Sequence, residues 1–284
     1  MVKAGPEDSR FPSYGSGCGK DLAGRMMLQF FRKNRQRTAI KAVFFDLDGT
    51  LVDVKMNDFI SSYIEGLACH FTDIARRYTV SSALREAMLV LLSGADGFDS
   101  NEKLFFAVLR QRLEIEPDLF FRRLESYCAD GLAALRPLIR PLPLARQILD
   151  VCRARGLRMV VATNPIFPRP IIDARLAWGG FADFPFDLVT SIENTRYCKP
   201  DPRFFSDLLD SFGLAPEEAI MIGNDTEHDL AAHGVGIPTF LVDTWLVDRG
   251  ARFTPDFRGG HRDLLLFLEE DWKVLGTKGM DHTW

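Results

Sequence analysis

The sequence has little of what would mark a secreted, membrane-bound or strongly basic protein. Its cysteines are five in 284 residues, Cys18, Cys69, Cys128, Cys152 and Cys198, odd in number, widely scattered and without a C-x-x-C pair. That pattern argues for reduced thiols in a cytoplasm. No apolar run approaches the roughly 18 to 20 residues needed to cross a bilayer, and the N-terminus lacks a secretory apolar segment with a cleavage site. A cytoplasmic protein with no membrane partner is expected. Net charge is only −4, which gives no reason to expect a nucleic-acid partner. Histidine is scarce too, with five residues and no H-E-x-x-H pair; His228 and His233 lie beside acidic residues without making an imidazole-rich site. No Walker-type glycine loop precedes a helix, so cradling of a nucleotide by glycine amides is unsupported.

What is present is the composition of an ordinary globular chain, 46% hydrophobic and 26% charged, long enough for one large core or two unequal domains. Residues 1–38 mix Gly, Ser, Pro and charge and carry the basic run "FRKNRQR". They read as a poorly ordered, solvated extension rather than a targeting element. Residues 55–140 show apolar residues at helical spacing in four successive stretches, from "FISSYIEGLACHFTDIARRY" to "PDLFFRRLESYCADGLAAL", which predicts a helical insert. Around it, in 39–54 and 141–272, strand-like and helix-like pieces alternate. "LRMVVATN", "FDLVTSIE", "AIMIGND" and "PTFLVD" read as strands, the last of these closing the series. "LARQILDVCRARG", "PRFFSDLLDSFG" and "EHDLAAHGVG" read as helices. Such alternation predicts an α/β fold, a doubly wound, Rossmann-like parallel sheet covered by helices on both faces. Residues 273–284 read as a tail.

The stretch "AVFFDLDGTLVD", residues 42–53, places acids directly after a buried-strand pattern. Asp46 and Asp48 flank Leu47, so a brief continuation of the strand projects both carboxylates to one side, with Gly49 ready to turn the chain. Converging acids at a strand end call for a cation, a proton or a chemical task. In a parallel sheet the ligand site lies beyond the carboxyl ends of the strands, and those ends are consistently polar. Thr163 and Asn164 follow "LRMVVA", Asp225 and Asp229 follow "AIMIG", and Lys199, in "CKPDP", opens the segment before a helix. A calcium loop of the EF-hand kind is excluded, because Leu51 and Asn57 stand where that loop requires Gly and Glu.

In their order and positions, D-x-D-G-T at Asp46, a threonine at Thr163, a lysine at Lys199 and the acidic pair Asp225 and Asp229 resemble the four motifs of the haloacid dehalogenase superfamily. The likeness spans about 41 to 245, and the helical insert sits where that superfamily carries a helical cap. The resemblance implies a hydrolase of the phosphatase type that acts on a small phosphorylated molecule. Asp46 would be the nucleophile that forms an aspartyl-phosphate, and Asp48 the acid and base. Thr163, Asn164 and Lys199 would bind the phosphoryl group, and Mg²⁺ would be held among Asp46, Asp48, Asp225 and Asp229.

Asp48 also separates the chemistries of the superfamily. A halide departs without a proton, and dehalogenases typically lack an acid at this position, so dehalogenation is disfavoured. A phosphosugar mutase of the same fold and a non-catalytic phosphate-binding module are the remaining alternatives. Met56, Asn57 and Phe59, just inside the insert, are candidates to face substrate, with helix packing the competing role for Met56 and Phe59. Arg169 reads as a solvated arginine sooner than as an anion ligand.

Overall fold

The computed structural model describes residues 39–94, 98–250 and 253–270. The expected extension, 1–38, and the tail, 273–284, lie outside the described residues. Strand β1 (Ala42–Phe45) is buried along its whole length. Val43 and Phe45 point into one apolar cluster, Ala42 and Phe44 into another. That is the period-two pattern of a strand covered on both faces.

After a tight turn at Gly49, a short strand β2 (Val52–Val54) leads into the helical segment. Helices α1 (Met56–Ala68), α2 (Arg77–Ser93), α3 (Asn101–Leu113) and α4 (Pro117–Asp130) follow. A 3₁₀ stretch over Leu132–Leu138 then closes the segment into β3 (Ile139–Pro141). Strands β2 and β3 pair antiparallel, Val52 against Pro141 and Val54 against Ile139, so the insert leaves and rejoins the chain at one place. Its interior is aromatic: Phe105, Phe106 and Phe120 meet edge to face at 5.3 to 5.4 Å, a favoured geometry for the ring quadrupoles. Phe59 is fully buried, Met56 half-buried and Asn57 exposed; helix packing therefore accounts for Phe59.

Beyond the insert, α5 (Ala145–Ala154), β4 (Arg158–Val161), α6 (Arg169–Trp178) and β5 (Leu188–Val189) follow in turn. They are succeeded by α7 (Pro202–Phe212), β6 (Ala219–Gly223), β7 (Thr239–Val242), β8 (Phe257–Gly259) and α8 (His261–Glu269). The sheet has six strands in the order β5-β4-β1-β6-β7-β8, every pair parallel. This is the expected α/β, Rossmann-like architecture.

Three details differ from expectation. The series of strands does not close at "PTFLVD": β8 adds an edge strand of three residues, too short to show a periodic pattern. Of "FDLVTSIE" only Leu188 and Val189 pair as a strand. The stretch "EHDLAAHGVG" forms a 3₁₀ turn over Leu230–Val235 that stops at Gly236, whose φ is +88°, a conformation glycine adopts without steric cost. The proline-rich "NPIFPRP" runs straight into α6, with Pro170 in the first turn where its missing N–H costs nothing. Among the described residues no helix is long and apolar enough to cross a membrane.

Candidate active site

The sheet order explains why distant motifs meet. Strands β4 and β6 flank β1, so residues after all three strands share one rim. The Asp46 amide donates to the Ile222 carbonyl at 2.8 Å, which aligns the ends of β1 and β6. Gly49 turns the chain at φ +83°, and a Cβ there would lie 2.3 Å from Asn224 Nδ2. Glycine is thus required both for the conformation and for the close approach.

Lys199 is the hub. Its side chain is 2% exposed, and the ammonium donates to Asp46 Oδ1 at 2.7 Å and to Asp229 Oδ1 at 2.6 Å. Burial alone would lower the lysine's pKa, but the two facing carboxylates outweigh it and hold the group well above its ordinary value. Two carboxylates share one ammonium, so one negative charge is in excess. Burial, with Asp46 beside it, pushes the Asp229 carboxyl up to about 7. The other Asp229 oxygen accepts from the Asp225 amide at 2.9 Å. Gly223 makes room for this carboxylate, since a Cβ there would stand 2.2 Å from Asp229 Cγ.

Asn164 clamps the backbone of the same lysine. Its Oδ1 accepts from the Lys199 amide at 2.8 Å, and its Nδ2 lies 3.4 Å from the Lys199 carbonyl and 3.3 Å from His228 Nδ1. Thr163 is buried at the rim, and its carbonyl accepts from the Thr190 hydroxyl at 2.7 Å.

Asp225 accepts from the backbone amides of Glu227 at 3.0 Å and His228 at 2.9 Å, and from Arg249 Nε at 2.6 Å. Burial pushes this carboxyl up, but the hydrogen bonds outweigh it and hold the pKa below the ordinary value. Asp48 pairs with Arg175 of α6 through the Arg175 Nη2 and Asp48 Oδ1 atoms. Burial, only partly offset by that guanidinium, raises the Asp48 pKa.

The rim is completed by residues that the strand-end reading passed over. Asn224 donates to the Trp245 carbonyl at 2.6 Å, and His261, against the Trp245 ring, contacts the Thr50 carbonyl through Nε2 at 2.9 Å. Arg175 carried a legible signal: in "IIDARLAW" it falls on the helical face of the buried Ile171, Ile172 and Leu176. Arg249 and His261 carried none, because their partners are brought close only by the sheet. Arg169 pairs with Asp173 on an exposed surface at 2.7 Å, in keeping with its reading as a solvated arginine.

Among the described residues no group of three or more His, Cys, Asp or Glu side chains is arranged to hold a metal ion. Asp46 and Asp225, with the Asp48 carbonyl, offer hard oxygen, and Mg²⁺ characteristically binds one or two carboxylates while keeping water. The residues fit that ion. The Asp229 side chain is engaged by Lys199 and the Asp225 amide, and the Asp48 carboxylate by Arg175.

The family model described as haloacid dehalogenase-like hydrolase matches residues 40–235. The chain therefore belongs to the haloacid dehalogenase-like hydrolases. It is similar to a glyceraldehyde 3-phosphate phosphatase of Pyrococcus furiosus, 29% identical over 70% of this chain and 79% of that protein. It is likewise similar to a phosphoglycolate phosphatase of Thiobacillus denitrificans, 28% identical over 72% of this chain and 83% of that one. A solved phosphatase of the same superfamily from Thermococcus onnurineus shares the fold, with a TM-score of 0.51 and 21% identity over 81% of this chain and 98% of that one. The chain is an enzyme, a hydrolase of the phosphatase type.

Proposed function

We propose that the protein is a Mg²⁺-dependent phosphoric monoester hydrolase that acts on a small phosphorylated metabolite through an aspartyl-phosphate. The observation that carries the reading is the Lys199 ammonium held between Asp46 and Asp229. Attack on a phosphate ester is opposed by the charge of its oxygens, and a fixed ammonium next to the attacking carboxylate offsets that repulsion. Asp46 bonds to phosphorus as the ester P–O bond breaks, and Asp48 passes its proton to the departing oxygen. Asp48 then takes a proton from water, whose oxygen bonds to phosphorus as the Asp46–phosphorus bond breaks. Thr163 and Lys199 bind the transferred group, while Asn164 acts one step removed by fixing the Lys199 backbone. Asp46, Asp225 and the Asp48 carbonyl would hold Mg²⁺, which supplies charge neutralisation at the phosphoryl oxygens.

The two phosphatase relatives are named for three- and two-carbon phosphates, so small phosphorylated acids and aldehydes are the first substrates to try. The test is phosphate release from such a panel, with Mg²⁺ and with chelator, by the native chain and by Asp46→Asn. Metal-dependent release that disappears in the variant supports the reading. A folded, Mg²⁺-binding chain that releases no phosphate from any ester sinks it and turns attention to a mutase assay.

A further inference from the structure

Arg175 is fully buried in α6, yet its guanidinium has one hydrogen-bonded partner, the Asp48 carboxylate. Its Nε and Nη1 have no hydrogen-bond partner and no contact with solvent. The rings of Phe59 from α1 and Phe167 from the loop after β4 lie against it, their centroids 5.3 and 5.2 Å from the guanidinium carbon. Phe59 and Phe167 meet edge to face at 5.7 Å, and Tyr63 packs on Phe167 at 5.3 Å. The charge therefore sits in an aromatic sleeve formed by the insert and the sheet-end loop, an arrangement that favours a guanidinium through cation–π attraction.

A buried charge with a single ionic partner is a costly way to fill space, and an aliphatic side chain of similar volume would pack there at less cost. The single contact does what an aliphatic residue cannot. Arginine often grips a carboxylate with two nitrogens on two oxygens, but here one nitrogen holds Oδ1 and leaves Oδ2 outside the pair. The Asp48 side chain is 23% exposed while that of Arg175 is 0% exposed, so Asp48 reaches the rim from a fixed root.

Resting on the phosphatase reading above, we propose that Arg175 is a positioning residue that pins Asp48 through Oδ1. Oδ2 is then the oxygen that carries the proton to the leaving group and takes one back from water. The sleeve ties the pin to the insert, since Phe59 belongs to its first helix.

A pinned acid matters in proportion to how much the leaving group needs a proton. The experiment therefore compares kcat/KM for phosphoglycolate, whose alkoxide is strongly basic, with that for p-nitrophenyl phosphate, whose phenolate leaves almost unaided. Arg175→Met is expected to lower kcat/KM for the alkyl ester on the order of 10- to 100-fold, a part of the roughly 10²- to 10⁴-fold that a general acid contributes, and for the aryl ester by less than about threefold. Arg175→Lys should recover part of the loss. In an Asp48→Asn background, Arg175→Met should bring no further drop, because the two residues act as one unit.

Circular dichroism and thermal melting establish that each variant is folded. If Arg175→Met does not fold, Arg175→Lys and Arg175→Gln carry the same comparison. An equal loss on both esters, or an additive loss in the Asp48→Asn background, overturns the positioning role while leaving the phosphatase reading intact. If phosphoglycolate is not turned over, the alkyl ester of the panel that the native chain hydrolyses best takes its place, and absence of turnover on every ester of the panel removes the reading and the role together.

Discussion

Lys199 neutralises one of two carboxylates that the fold buries against it, and its removal should be felt in both stability and turnover. Lys199→Met leaves Asp46 and Asp229 facing each other with no cation between them. Breaking a buried pair in this way costs about 3 to 5 kcal/mol. Urea denaturation should show that loss at neutral pH and a smaller one in acid, where the carboxylates take up protons; phosphate release should be abolished. Asp229 gives a second test. Its folded pKa is raised from 3.8 to about 7, so the folded state holds the proton more tightly than the unfolded chain does. The sign follows: its contribution favours folding in acid and is lost as pH rises through that window, by at most about 1.4 kcal/mol per pH unit. In chelator, Asp229→Asn should flatten the stability profile over this range, and an unchanged profile would assign the slope to another group. Asp46 was legible in the sequence because it ends an apolar strand, Asp229 because it follows another within a few residues, and Lys199 because it stands just ahead of a helix. Arg249 was not, since its partner Asp225 lies 24 residues away and nothing in the local pattern distinguishes it from a surface arginine.

At the scale of elements, close approach between segments limits what the sequence can change. The Gly223 position at the end of β6 is filled by the Asp229 carboxylate, 2.2 Å from where a Cβ would stand. Gly223→Ala should push Asp229 off Lys199, lowering activity at least about tenfold while costing about 1 to 3 kcal/mol for overpacking; thermal melting and phosphate release measure the two effects separately. A variant with native activity would show that Asp229 can move without consequence. In the insert, Phe120 touches Phe71, Phe105 and Phe106 and is fully buried. Phe120→Ala should destabilise by about 3 to 5 kcal/mol, read in the denaturant midpoint. The helices of the insert announced themselves through periodicity over a dozen or more residues. Strands β2, β3 and β8 did not, because three residues carry no period, and β2 and β3 exist only through pairing with each other across the whole insert. Helix α6 was hidden for another reason: its proline-rich entry looks like an irregular loop, although proline suits a first helical turn.

At the scale of the molecule, apolar packing runs continuously between the sheet and the helical insert. A single apolar cluster runs from Val43 and Phe45 on the sheet, through Phe59 and Phe167, to Leu109 and Phe120 in the insert. Residues 39–270 accordingly fall within one compact unit. The last helix belongs to the same fabric, for His261 at its start contacts the carbonyl of Thr50 in the loop that carries Asp46 and Asp48. Shared burial of this kind makes opening of one part costly to the other. Native-state hydrogen exchange should then find the slowest amides of α3 and α4 and those of β1 and β6 opening with the same free energy, as one cooperative unit. A lower opening energy confined to the insert would show that its aromatic interior closes independently of the sheet. In that case the sleeve around Arg175 would open with it, and the pin on Asp48 would respond to movement of the insert.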